Sequence, residues 1–290
     1  MAKQRRGGSR QTVIQPTPIP PTPTIQQTAQ TPPPQVTPPT PQNVQQGNVL
    51  PQGGVPFNQF QSMTDDQKAQ VISDALKTQT PLFLDKSDLQ KLAYFTGLSN
   101  KPQLMDDSAL DAIKGTGLTG TDLYRTVSDT YNPSTDIGYS AKDICDQIIN
   151  GDFTMYSDSG GSAYGKAIYA SDSYSGSAAY GRGAKSLTMR MKIADGSRFV
   201  SQSKLQSMLS SEMSSGSKLG KVLRSVDPSS RLGVLALAKG IAGSYDGYTS
   251  AGNDRYYMIY DRSALAASKD LKQASYGSNW KKAQTKYTLK

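Results

Sequence analysis

Residues Ala163 to Gly181 read AYGKAIYASDSYSGSAAYG, and this stretch decides how the rest of the chain is interpreted. Tyr169 closes a Gly-Lys-Ala-Ile-Tyr run, and Tyr180 closes a Ser-Gly-Ser-Ala-Ala-Tyr run eleven positions later. An apolar strand end, a short polar helix start and a second tyrosine are suited to clamping a flat aromatic ring. The alternatives are ordinary strand and core packing, in which aromatic residues are common, and a simple tyrosine-rich loop.

This segment resembles the nicotinamide-clamping segment of the ADP-ribosyltransferase superfamily, and in particular its poly-ADP-ribose-polymerase-like catalytic domains. The residues that carry the resemblance are Gly165, Lys166, Ile168, Tyr169, Ala170, Asp172, Ser175, Ser177, Ala178 and Tyr180. The resemblance implies that NAD is a substrate, that Tyr169, Ser171 and Tyr180 contact it, and that no metal takes part.

A second resemblance lies upstream, where a Leu-Tyr-Arg triplet ends at Arg125. In the superfamily the last residue of this strand motif holds the ribose or the phosphates of NAD. Arg125 stands at that place, and Thr126 stands where a glycine is usual. A guanidinium group binds a phosphate through two parallel hydrogen bonds and keeps its charge at any ordinary pH. The alternative is a surface arginine paired with Asp122 or Asp129.

A third resemblance covers 245–265, which is similar to the closing pattern of phage-encoded ADP-ribosyltransferase-like proteins. Its alignment places Tyr256, as a further NAD contact, where the superfamily has its catalytic glutamate. The only glutamate of the chain, Glu212, lies in SSEMSSG and is expected in a solvated loop between two helices. Asp254 and Asp246 are therefore the candidates for a substitute catalytic carboxylate. Each is equally suited to a turn.

Alternating helix and strand patterns predict an α+β fold. The resemblance implies an ADP-ribosyltransferase-like split β-sheet core at 119–268, preceded by a helical lead-in at 57–118. Residues 1–56 hold 13 of the 17 prolines and no acidic residue, so we expect a disordered, basic, Pro/Gln/Thr-rich tether. Residues 269–290 are expected to form a basic C-terminal tail.

Local patterns predict the individual elements. Thr64 and Ser87 are helix starts, and Gly97 ends the second helix. Strict alternation predicts a half-buried strand at 187–193, and 256–260 is the last clear strand. Further helices are predicted at 108–114, 143–150, 204–213, 218–226 and 232–238, the last after a cap at Asp227 and Pro228.

Several function classes are excluded or disfavoured by composition. The chain has no histidine, which removes Ser-His-Asp and Cys-His catalysis and most zinc sites. Its one cysteine, Cys145, falls in an apolar pattern and is expected in the core. No apolar run approaches the length of a membrane span, so no membrane partner is expected.

The net charge of +9 is unevenly distributed. Residues 1–64 carry four basic and no acidic residues, and 269–290 carry six lysines and one aspartate, whereas 65–268 hold 22 of each sign. A neutral body with basic ends indicates a polyanionic partner such as nucleic acid, although basic tails also serve solubility alone.

The resemblance implies an NAD-dependent mono-ADP-ribosyltransferase, phage-encoded and associated with the virion or the host cytoplasm. The expected acceptor is a host or virion protein, or a nucleic-acid-associated target. The proline-rich tether is expected to contact capsid or other virion proteins. The alternative is a non-catalytic virion or nucleoprotein component that keeps the fold and binds nucleic acid through its basic ends.

Overall fold

The computed structural model describes residue 50 and the ranges 52–78, 86–98, 101–115, 117–132, 137–150, 165–181, 185–246, 254–274 and 279–290. The side chains of 131, 132 and 137 are not among the described parts. Nearly all of the predicted tether at 1–56 and the loop preceding the tyrosine segment therefore lie outside the described residues. All described residues belong to one structural unit, 40–290.

Two helices of the lead-in begin at side chains that bond the free backbone N–H groups of the first turn. Thr64 and Ser87 each form a reciprocal capping box with a glutamine three residues later, which confirms both predicted helix starts. Gly97 follows the second of these helices at a φ of 61°, a conformation that favours glycine. The four helices of this part are α1 (Phe57–Ser62), α2 (Asp65–Lys77), α3 (Asp88–Phe95) and α4 (Asp107–Ala112).

The remaining predicted helices are also present. Cys145 is fully buried on α5, as expected. Glu212 differs from its prediction, because it lies within α7, accepts a hydrogen bond from Ser217 at 2.6 Å and pairs with Lys239 at 3.4 Å. The helices are α5 (Ala141–Asn150), α6 (Tyr174–Ala178), α7 (Gln202–Ser214), α8 (Lys218–Ser225) and α9 (Arg231–Ala238).

Among the described residues, nine strands form one mixed sheet in the order β1-β10-β6-β2-β5-β9-β8-β7, with β11 on the same side of β10 as β1. The pairs β1 with β10 and β7 with β8 are parallel, and the other pairs are antiparallel. The two remaining strands form a separate hairpin. This architecture confirms the α+β prediction. The strands are β1 (Gln103–Met105), β2 (Asp122–Ser128), β3 (Thr130–Asn132), β4 (Ile137–Tyr139), β5 (Ile168–Ser171), β6 (Ser186–Ile193), β7 (Phe199–Ser201), β8 (Gly243–Tyr245), β9 (Tyr256–Ile259), β10 (Leu265–Gln273) and β11 (Thr285–Thr288).

The strand predicted to be half-buried, β6, is buried on both faces. Its apolar side chains face the main core, and its polar side chains Thr188, Arg190 and Lys192 are covered as well. Arg190 bonds to aspartates of α4 and β2, and Lys192 donates to the carbonyl of Ile113 at 3.1 Å. The prediction of a solvated face was wrong because helix α4 brings acidic partners to the cations.

The predicted boundary between core and basic tail, at 268/269, lies inside strand β10. Residues 285–288 form β11 and pair with that strand, so the basic end is part of the sheet. The predicted lead-in also shares the core of the sheet, because Phe60, Ile72 and Leu89 belong to the same apolar cluster as strand residues of β2 and β6.

No helix among the described residues is long and apolar enough to cross a membrane. The same described ranges contain no group of three or more His, Cys, Asp or Glu side chains that could hold a metal ion.

Candidate functional site

The candidate site lies where the two halves of the sheet meet, between β2 and β5. In the described structure these strands share one register pair, Tyr124 with Ser171. Next to that pair, a side chain joins the two strands. The Nη1 of Arg125 on β2 donates a hydrogen bond to the carbonyl of Tyr169 on β5 at 2.8 Å. The spacing of 44 residues between Arg125 and Tyr169 therefore corresponds to a direct contact.

The charge of Arg125 has no carboxylate partner among the described residues, and its Nε is buried without a hydrogen bond. Both partners considered from the sequence are engaged elsewhere. Asp122 binds Arg190, and Asp129 accepts from the backbone of α5 and pairs with Lys185. Burial lowers the pKa of Arg125, and the Cys145 thiol and Tyr169 oppose that shift. A partly buried cation without a carboxylate counter-ion is the kind of group that an anionic ligand stabilises.

Thr126 and Ser171 also lie at the junction between β2 and β5, but their hydroxyl groups hold helix α6 in place. Successive strand residues face opposite sides, so Thr126 points away from the Arg125 side of the sheet. Its hydroxyl bonds Ser177 at 3.0 Å and Thr188 at 2.7 Å. The Oγ of Ser171 accepts from the N–H of Ser173 at 3.1 Å. These bonds fix α6 against β2 and β5.

Tyr180 and Tyr256 form the aromatic pair of this region. Their rings meet edge to face at 5.9 Å and 82°, and the Tyr180 hydroxyl donates to that of Tyr256 at 2.7 Å. Tyr180 is 61% exposed, so one ring of the pair is open to a ligand. Burial, the bond from Tyr180 and the charge of Asp254 all raise the pKa of Tyr256.

Tyr169, the other member of the predicted clamp, lies against the main apolar core, and its hydroxyl donates to the carbonyl of Gly165 at 2.6 Å. Gly165 has a φ of 81°, which explains why a glycine opens the Gly-Lys-Ala-Ile-Tyr run. The clamp between Tyr169 and Tyr180 stays a prediction.

Of the two candidate carboxylates, Asp254 is the one whose charge raises the pKa of Tyr256. A Cβ atom placed on Gly176 of α6 would come within 2.2 Å of its Oδ2 and 3.3 Å of the Ser171 Oγ. Asp254 therefore rests directly on the glycine of α6, beside Ser171 and Tyr256. Asp246 follows β8, and its N–H donates to the carbonyl of Tyr256 at 2.9 Å.

No family model, curated protein or solved structure matches this chain.

A methyl group on Gly176 is expected to displace Asp254. Gly176→Ala gains helix propensity of about 1 kcal/mol at most, so the fold should survive while the carboxylate moves. We expect at least a tenfold loss of any turnover that depends on Asp254. Ser175→Ala, on the exposed side of the same helix, is the matched control. Equal turnover in both variants would show that the position of Asp254 does not matter.

Sequence reasoning did not select Asp172, which follows Ser171 directly. Its Oδ1 accepts from the N–H of Arg255 at 2.9 Å. Burial raises the pKa of this carboxyl; the bond from Arg255 opposes that shift, and the charge of Asp254 adds to it. Asp172 belongs to the motif of the tyrosine segment, but its burial depends on β9, which lies more than 80 residues further along the chain.

The raised pKa of Asp172 predicts a pH-dependent effect on stability. A folded-state pKa above the unfolded value stabilises the fold at low pH, and this contribution is lost as the pH rises through the folded pKa. Asp172→Asn should therefore melt higher than the parent at pH 7, and the difference should vanish below about pH 3.5, where the unfolded carboxyl is protonated too. Thermal melts at pH 7 and below about pH 3.5 measure this difference, and Asp195→Asn, at an exposed position, is the control. A lower melting temperature at pH 7 would contradict it.

Proposed function

We propose that this protein binds NAD and transfers a single ADP-ribose group to an acceptor. The observation that carries the proposal is the partly buried guanidinium of Arg125, whose Nε is buried without a hydrogen bond and which has no carboxylate partner among the described residues. The pyrophosphate of NAD is an anion of the kind that such a group binds through paired hydrogen bonds. The motif resemblance independently assigns Arg125 to the ribose or the phosphates of NAD.

The aromatic pair next to α6 supports the second part of the proposal. Tyr180 is exposed and is held in place by its bond to Tyr256, so its ring is preorganised to stack on a flat ligand. A fixed tyrosine loses little conformational entropy when it binds. We assign Tyr180 and Tyr256, together with Tyr169, to the nicotinamide end of NAD.

The reaction breaks the bond between the ribose anomeric carbon and the nicotinamide nitrogen, and nicotinamide leaves with the bonding electrons. The acceptor nucleophile forms the new bond to the anomeric carbon and releases a proton to water. Positive charge develops on the ribose, as it does in glycoside cleavage, and a nearby carboxylate stabilises it. Asp254 is the residue we assign to this role, because it lies beside Tyr256 and Ser171.

Transfer of one unit, rather than polymer synthesis, follows from the residue at the start of β9. The resemblance aligns Tyr256 with the catalytic glutamate, and Glu212 is held on α7 by Ser217 and Lys239. The acceptor is proposed to be a protein or a nucleic-acid-associated target.

Nicotinamide release from NAD by the purified full chain tests the proposal. We expect release by the parent, a loss of about 100-fold in Asp254→Asn, and near-parental release in Asp246→Asn. Asp195→Asn, in an exposed turn, controls for the loss of one negative charge. Loss of activity in Asp246→Asn alone would move the catalytic role to that residue. Absence of nicotinamide release by the parent would contradict the proposed enzymatic activity.

A further inference from the structure

Strand β11 forms an open edge of the main sheet. It pairs with β10, whose opposite side is taken by β6, and no strand of the described structure pairs with the outer side of β11. All residues of the strand, Thr285–Thr288, are exposed. An exposed edge strand presents backbone N–H and C=O groups with which another extended chain can pair. We call the outer side of β11 the open edge.

The backbone that forms the open edge is anchored before and after the strand. Trp280, which precedes β11, is buried. The N–H of Gln273 donates to the carbonyl of Gln284 at 2.9 Å, and the N–H of Leu289 donates to the carbonyl of Lys269 at 2.7 Å. The strand is therefore already extended and ordered, so a ligand that pairs with it has little conformational entropy of the protein to overcome.

The register with β10 shows which backbone groups of β11 point outwards. Along an antiparallel strand, residues that bond the neighbouring strand alternate with residues whose N–H and C=O point away from it. Leu289 bonds Lys269, and the preceding residue, Thr288, lies opposite Asp270. The N–H and C=O of Thr288 therefore point to the open edge. Tyr287, which is 46% exposed, has its side chain on the opposite face of the sheet from that of Thr288.

The charge around the open edge indicates the composition of a matching strand. Residues 279–290 contain no acidic residue. The exposed lysines of this segment are Lys281, Lys282, Lys286 and Lys290. None of them forms an ion pair with a described residue, although Lys281 lies close enough to Asp111 to lower the pKa of that carboxyl. On β10, Asp270 faces the strand and accepts from the Thr288 hydroxyl at 3.3 Å. The excess of positive charge favours an acidic ligand.

Two other occupants of the open edge fit this charge less well. A second copy of β11 would bring the lysines of two such segments together, and like charges on paired strands are destabilising. Residues 1–64 of the same chain carry four basic residues and no acidic residue. An acidic segment of another protein is therefore the occupant that the charge favours.

We propose that the open edge binds an extended, acidic segment of a partner protein, which joins the sheet as a further strand. The backbone of Thr288 pairs with the added strand, and the lysines of 279–290 attract its carboxylates. Alternate residues of the added strand lie beside Tyr287, where a β-branched apolar side chain packs on the aromatic ring. This proposal does not depend on NAD binding.

Fluorescence anisotropy with a labelled Glu-Val-Glu-Val-Glu-Val-Glu peptide, titrated with the full chain, tests the proposal. We expect saturable binding that weakens as the salt concentration rises. The same peptide methylated at every backbone nitrogen keeps its charge but donates no backbone hydrogen bond, so it should bind at least about tenfold more weakly. Changing Lys286 and Lys290 to Gln should weaken binding about fivefold.

Thr288→Pro removes the N–H that points to the open edge and should weaken binding about tenfold, while an edge position tolerates proline. Thr288→Val is the matched control, because it loses the same hydroxyl and keeps the N–H, and it should bind as the parent does. Lys204→Gln combined with Lys221→Gln, at exposed helix positions, controls for the loss of two charges. Melting temperatures show whether the variants are folded.

The proposal is overturned if the parent does not bind the peptide at low salt, if the methylated peptide binds as tightly as the unmethylated one, or if folded Thr288→Pro and Thr288→Val bind alike. Equal affinity in the two double lysine variants would overturn the assignment to an acidic partner. Dimerisation of the parent that is lost in Thr288→Pro, without peptide binding, would assign the open edge to a second copy of the chain instead.

Discussion

Arg125→Met is expected to lower NAD turnover by at least 100-fold while leaving the stability of the protein within about 1 kcal/mol of the parent. The loss of function follows from removing the group assigned to the phosphates. The small effect on stability follows because the partly buried charge lacks a carboxylate partner among the described residues, so its removal also relieves a desolvation cost. The variant can no longer donate a hydrogen bond to the Tyr169 carbonyl, and this bond is the main stabilising interaction of the Arg125 side chain.

Arg198→Met is the matched control, because the Nη1 of Arg198 also donates to a backbone carbonyl, that of Lys239, at 3.1 Å. Arg198 is exposed, and its variant should keep both turnover and stability. A strongly destabilised Arg125→Met protein would mean that Arg125 is a structural tether between β2 and β5. Full NAD turnover in Arg125→Met would show that Arg125 is not part of the NAD site.

Arg190→Met is expected to destabilise the fold by about 2–4 kcal/mol at neutral pH. Arg190 is 4% exposed and lies among Asp107, Asp111 and Asp122, with its Nε 3.0 Å from Asp122 Oδ1. Without it, three carboxylates remain close together with less positive charge between them. The estimate lies below the full cost of breaking a buried pair because the aspartates are partly exposed and hydrated.

The effect of Arg190→Met should also depend on pH. The hydrogen bond from Arg190 holds the pKa of Asp111 below its usual value. A depressed pKa stabilises the fold above the unfolded pKa of about 3.9, and that contribution is lost as the pH falls through the folded value. The difference in the free energy of unfolding between parent and variant, measured by urea unfolding, should therefore become smaller in acid. Lys185→Met, which removes an exposed pair with Asp129, should cost less than about 1 kcal/mol. A similar loss in both variants would contradict the role of Arg190.

Helix starts could be predicted from the sequence because their stabilising contacts are local. Thr64 and Ser87 each bond a residue three positions away, and both capping boxes are formed. The burial of β6 could not be predicted, because Arg190 is covered by side chains of α4, about 80 residues earlier in the chain. Strand β10 was missed for a similar reason, since Lys272 is covered by Trp280 and pairs with Asp107, which lies far away in the sequence.

The candidate site was predictable in part. The position of Arg125 on a strand was predicted from its motif, whereas its hydrogen bond to the Tyr169 carbonyl was not. The pairing of Tyr180 with Tyr256 was not predicted, because it depends on how α6 packs against β9. Asp122 could have been rejected as a partner of Arg125 by strand alternation, since residues three apart face opposite sides of a sheet.

Calorimetric titration of NAD into the parent and into Arg125→Met tests the central claim most directly. We predict saturable binding to the parent and a loss of affinity of at least 100-fold in the variant. Equal affinity for both proteins, or the absence of binding to the parent, would contradict the assignment of Arg125 to the phosphates of NAD.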